Sequence, residues 1–158
     1  MDDERGHEDS SHYESRIKYF QFSEPYSITG TTTQLLSNAG ETTLATITLH
    51  HIRSNDRVVI LASVGWQISA TASITNPEIR FRIHRDGVPG TTVFDTIDSG
   101  SGLGRRFTTS LTHAETNISH GEHQYTLTAF IATGAAGDIA VTDPINLDGF
   151  VIDENESH

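Results

Sequence analysis

The sequence predicts an all-β fold, a two-sheet antiparallel jelly-roll sandwich with an extended N-terminal arm. Three observations carry this. Short stretches alternate apolar and polar residues with a period of two. Gly, Pro, Asn and Asp clusters separate those stretches at close spacing. No segment shows a capped apolar stripe of helical period, so no helix longer than a turn is expected.

Taken in order, residues 1–15 are polar and acidic, and carry His7 and His12; their composition predicts disorder. Ile17-Lys18-Tyr19-Phe20-Gln21-Phe22 is an aromatic strand signal closed by Glu24-Pro25. Ser27 to Gly40 is rich in Thr and Ser, contains Leu35-Leu36 and ends in turn chemistry. From Thr42, Ala45, Ile47 and Leu49 alternate with polar residues. Arg57 to Val64 is a continuous apolar run, the mark of a central strand. Gly65 is expected to bend the chain before a further strand, Trp66 to Ile74.

Ile79, Phe81 and Ile83 point one way and Arg80, Arg82 and His84 the other, the clearest alternation in the chain. Asp86 to Gly90 is a tight turn, and Thr91 to Ile97 returns as its hairpin partner. Asp98 to Gly104 reads as a flexible glycine loop. Arg106–Thr112, Gln124–Thr133, Asp138–Thr142 and Ile145–Ile152 are further strands, with Gly149 weakening the last or marking a bulge. About nine strands in all imply two packed sheets. The predicted regions are an arm (1–26, polar tail plus aromatic strand), a jelly-roll domain (27–153) and an acidic tail (154–158).

Composition excludes several functions. A formal charge of −11, from 10 Lys and Arg against 21 Asp and Glu, leaves no basic footprint for nucleic acid or anionic lipid. With no cysteine, disulfides, thiolate chemistry and zinc–sulfur sites are ruled out together. No apolar run approaches the roughly 20 residues of a membrane span, and Met1-Asp2-Asp3-Glu4-Arg5 opens without the apolar core of a secretory signal.

The search for chemistry gives an expectation of no enzyme, no cofactor and no metal. His120-Gly121-Glu122-His123, with His113 upstream, matches no zinc spacing. His50 and His51, adjacent in a strand, should point to opposite faces. Gly100 to Gly104 lacks the Lys-Ser/Thr and helix of a phosphate loop. The loop aspartates, Asp95 and Asp98 among them, do not follow calcium-loop spacing. Two features suggest contacts between subunits instead. The leader segment, with Ile17, Tyr19, Phe20, Phe22 and Tyr26, is a strand in need of a partner, found either in its own sandwich or in a neighbour's sheet. The Arg80, Arg82 and His84 face either meets a neighbour or carries cross-strand salt bridges.

The run VILASVGWQISATASITNPEIRFRIHRDGVPG, from Val59, and the later HAETNISHGEHQYTLTAFI, from His113, resemble small β proteins of spore-forming bacteria. These are similar to the exosporium-type, tumour-necrosis-factor-like jelly rolls, and the likeness covers roughly Thr42 to Asp153. The resemblance implies a structural role at the spore surface, frequent trimerisation, no reaction, and delivery from the mother cell without a signal peptide. The expected function is therefore a self-assembling surface protein, a homotrimer or a filament built by strand donation from the arm. Its partners would be copies of itself and other surface-layer proteins. The alternative is a carbohydrate- or receptor-binding head, with the Asp86–Gly90 and Asp98–Gly104 loops lining a site and Trp66 as its sugar-stacking ring if exposed. With nine His on an acidic chain, assembly is expected to change between about pH 7 and 5.

Overall fold

A computed structural model describes residues 15–26 and 34–154. Residues 1–14 of the polar tail, 27–33 of the Ser27–Gly40 segment and 155–158 of the acidic tail lie outside the described residues. The strands are β1 (Arg16–Tyr26), β2 (Gln34–Leu35), β3 (Thr42–Ile52), β4 (Arg57–Ile68), β5 (Glu78–Arg85), β6 (Thr91–Ser99), β7 (Arg106–Glu115), β8 (Gly121–Thr133) and β9 (Ile139–Asp153). No helix occurs among the described residues.

One sheet runs β1-β9-β4-β7, with β2 also paired to β9; the other runs β3-β8-β5-β6. All pairings are antiparallel and nested: β1 and β2 with β9, β3 with β8, β4 with β7, β5 with β6. This is the wound-up hairpin of a jelly roll. The inward residues of both sheets form one core, in which Trp66, Tyr125, Phe81, Ile60 and Leu49 are fully buried. Trp66 stacks on Phe107 at 4.6 Å and donates its indole N–H to Thr109 Oγ1 at 2.9 Å, so its polar end is satisfied. Trp66 is thus a core residue, as its place in the strand period predicts, and offers no surface for stacking a sugar.

Five expectations are corrected. Gly65 does not bend the chain: β4 passes straight through it to Ile68, and residues 69–77 form a loop rather than a strand. The glycine serves the neighbouring strand. A Cβ there would lie 2.1 Å from the Asp143 carbonyl oxygen, where the β4–β9 register shifts between Val64 and Trp66. That shift lets Asp138–Thr142 and Ile145–Ile152 run together as the single strand β9.

Gly149 marks no bulge, since its pairing is regular on both sides. It faces the core, where a Cβ would meet Ile47 Cδ1 at 2.5 Å, so its bare backbone makes room for the opposite sheet. The glycine loop after β6 is anchored. Gly102 N–H donates to the Thr75 carbonyl, Gly104 N–H to that of Ile68, and Gln67 Nε2 to that of Gly104.

Candidate functional site

The leader finds its partner in its own chain. β1 pairs with β9 from Arg16 opposite Asp153 to Tyr26 opposite Ile145, the own-sandwich alternative of the two that the sequence left open. The physical reason lies in β9: its edge away from β4 would otherwise present unpaired backbone groups. A register shift between Ile17 and Tyr19 turns Tyr19 inward against the core. Ile17, Phe20 and Phe22 are left facing solvent at 64%, 44% and 55% exposure. The backbone of Tyr26 is paired, and its side chain lies outside the described residues.

Strand register extends this exposed set into a surface. Phe20 stands opposite Phe150, which stands opposite Val59. Phe22 stands opposite Asp148, which stands opposite the exposed Leu61. Ile17 stands opposite Ile152. The rings of Phe20 and Phe22 stack at 5.8 Å, and Phe20 meets Phe150 at 4.8 Å. The outer face of the five-stranded sheet is therefore apolar over three neighbouring strands, β1, β9 and β4. Towards β7 it grades into Ser63, Ser110 and Thr112, and Arg57 is closed off by Glu154 at 2.6 Å. Asp148 sits between the apolar flanks; burial first, and then the nearby Glu24 charge, push its carboxyl above the ordinary range.

Arg80, Arg82 and His84 do share a strand face, but their charges are spent within the chain. Arg80 grips Asp95 through two bonds of 2.7 and 2.9 Å; Arg82 bonds Asp95 at 3.2 Å and Glu41 at 2.7 Å. His84 is buried, with Nε2 2.7 Å from Glu41 Oε2, so it cannot meet a neighbour. The cross-strand reading is the one the geometry takes. The Arg80 hydrogen bond above all holds the Asp95 carboxyl below its usual range. Burial pushes Glu41 up, but the hydrogen bonds from Arg82 and His84 outweigh it, leaving that carboxyl lowered.

The histidines divide among separate places. His123 Nδ1 lies 2.7 Å from Asp86 Oδ2, and its Nε2 lies 2.7 Å from the Ser119 carbonyl, so both ring nitrogens are engaged. His113 faces inward near Phe94, with its buried Nε2 lacking a partner. Among the described residues no group of three or more His, Asp or Glu is arranged to hold a metal ion. Asp98 accepts from Thr109 Oγ1 and the Ser99 N–H, which gives this loop acid a structural task.

His50 and His51 depart from expectation. The β3–β8 register shifts between Leu49 and Ile52, and His51 takes the left-handed conformation at φ 60°. The two rings therefore come within 6.2 Å of each other, both edge-on to Tyr19. Alternation alone could not reveal this, because the bulge is set by pairing with a strand some 70 residues away.

No protein-family model and no curated protein matches the sequence. Among solved structures, the chain is similar to that of the infectious bursal disease virus Gx strain, at 13% identity, covering 90% of this chain and 35% of that one, with a TM-score of 0.48. An arabinose-bound α-L-arabinofuranosidase matches at 12% identity, 87% and 23% coverage and a TM-score of 0.44. A CBM4 structure matches at 9% identity, 89% and 78% coverage and a TM-score of 0.31. The chain spans about a third of the viral chain it matches.

Proposed function

We propose that this chain is a non-enzymatic jelly-roll building block that self-associates at a spore or cell surface, its leader strand supplying the contact. The observation that carries the reading is the exposed cluster of Ile17, Phe20 and Phe22 beside Leu61 and Phe150. The four exposed side chains Ile17, Phe20, Phe22 and Leu61 present on the order of 400 Å². That is roughly half of what one side of a standard interface buries. The occupant is a second copy. A pleated apolar sheet face is complemented by another like it, packed about 10 Å away, and a two-fold contact makes one patch serve both subunits. The spore-surface setting rests on the resemblance of the Val59 and His113 runs.

Face-to-face packing of two copies and a strand-donated filament both put the leader at the contact. They differ in whether β1 stays on its own β9 or crosses to a neighbour's. Because the chain has no cysteine, the registered pair Arg16 and Asp153 can be replaced to test this, as R16C/D153C. After oxidation of the assembled protein, denaturing electrophoresis should give an internally linked single chain if faces pack, and a covalent ladder if strands are exchanged. A wild-type chain that sediments as a monomer at all concentrations would overturn self-association itself.

A second reading, a glycan-binding head, is favoured by one feature. A cleft of about 760 Å³ at the end of the sandwich is lined by Asn76, Glu78, Ser101, Arg105, Phe107 and Thr133. With Trp66 buried, Phe107 is the ring available there, and Gly100 already crowds its tip. Glycan-array binding lost on Arg105→Ala would favour this reading over assembly.

A further inference from the structure

We infer that Asp148 makes self-association proton-driven: two copies close over the β1–β9–β4 face as this carboxyl takes up a proton, so acid assembles the protein and neutral solution holds it apart. The inference rests on the proposed packing of that face and adds its regulation.

Register puts the carboxyl in the middle of the patch. Its chain neighbours Leu147 and Gly149 face the core, so Asp148 points outward. Phe22 of β1 stands on one side of it and the exposed Leu61 of β4 on the other. Along β9 the next outward residues are Asn146 and Phe150. Other strand carboxylates have partners: Asp95 has Arg80 and Arg82, Glu41 has Arg82 and His84, and Glu115 has Arg85 and Tyr125. Asp148 makes no hydrogen bond and no ion pair among the described residues.

The charges around it give no relief. From β1 the group that reaches it is Glu24, of the same sign. From β4 come Val59, Leu61 and Ser63, and beyond them on β7 Thr112 faces Leu61; none of these ionises. Arg57 borders the patch four residues along β4 from Leu61, roughly 13 Å away, and Glu154 holds it. Burial and Glu24 thus already hold the Asp148 carboxyl above its ordinary range in the single chain.

A second copy packed on this face removes the water that remains. An ionised carboxylate with no partner is then costly to cover, whereas the protonated acid is neutral and can donate as well as accept. A two-fold axis through the patch centre brings the Asp148 acids of both copies to one contact, where they can bond each other. The assembled state therefore binds the proton more tightly than the free chain does. Association strengthens as pH falls towards the raised value of the free chain and levels off below it, where both states hold the proton. Each proton taken up changes the dissociation constant about tenfold per pH unit.

The test is sedimentation equilibrium of the full chain and of D148N at about pH 7.5, 6.5 and 5.5. Wild type should tighten by about tenfold or more per unit of pH, up to about a hundredfold if both acids of a pair are protonated. D148N should associate at the highest pH at least as tightly as wild type does at the lowest, with most of the dependence gone. Dilution calorimetry in two buffers of different ionisation enthalpy should show wild type releasing protons as it dissociates and D148N releasing none. D148N with the wild-type slope, or wild type that associates without proton uptake, would overturn this inference and leave self-association standing. Wild type and D148N both monomeric at every pH would overturn the two together.

Discussion

Replacing Phe20 and Phe22 together by serine should abolish self-association while leaving the sandwich folded. With 44% and 55% of surfaces of about 200 Å² each exposed, the two rings present about 90 and 110 Å². At about 25 cal/mol per Å², the four rings of a two-fold contact give a ceiling of about 10 kcal/mol. Ordering and rigid-body losses reduce what survives, and half of that ceiling still corresponds to three or four decades in the dissociation constant. The cost to the monomer is smaller. What is lost there is the Phe20 contacts with Phe22 and Phe150, about 1 kcal/mol for each pair. Sedimentation velocity over a wide concentration range reads the association, and urea unfolding monitored by Trp66 reads the fold. F20S/F22S that stays folded and keeps the wild-type mass distribution would refute the reasoning, because these two rings carry the exposed aromatic part of the face.

Three further predictions concern the framework and the charges it carries. Gly65→Ala should destabilise the fold by about 3 kcal/mol or more, since the clash is with the Asp143 backbone at 2.1 Å and no side chain can step aside; denaturant unfolding checks it. Asp148→Asn should raise thermal stability at neutral pH. The folded state holds the Asp148 proton more tightly than the unfolded one, so its penalty is present at neutral pH and relieved as pH falls through the raised folded value; the variant should lack that gain. Asp95 behaves oppositely. Its carboxyl is lowered, so its contribution is present above the ordinary pKa of about 3.9 and lost as pH falls below it. Asp95→Ala should cost about 0.5–1 kcal/mol at neutral pH, with the difference shrinking in thermal melts as pH falls below the ordinary carboxylate range.

Much of the fold was legible because it is written at a period of two. Ile79, Phe81 and Ile83 are all fully buried on the face the alternation assigns, and Trp66 lies in the core. What could not be read was set by partners distant in sequence. Gly65 looks like a bend until Asp143 is placed beside it, and Gly149 like a bulge until Ile47 and Leu49 are placed beneath it. The same limit applies to the sites. Ile17, Phe20 and Phe22 were visible as an aromatic leader, but only the register with β9 and β4 joins them to Phe150 and Leu61. Single-strand periodicity separates His50 from His51, and a register shift reunites them.

Because the roll brings its first and last long strands side by side, Arg16 and Asp153 stand together at one corner of the sandwich. The opposite end is closed by residues 69–77 and the Gly102–Gly104 turn, tied to one another through Thr75 and Ile68. The domain is thus polar in the way a tethered cap is polar. Anything fused ahead of β1 or behind β9 leaves from the same pole. A scaffold engineered on this chain could take cargo at either terminus without changing which end is displayed.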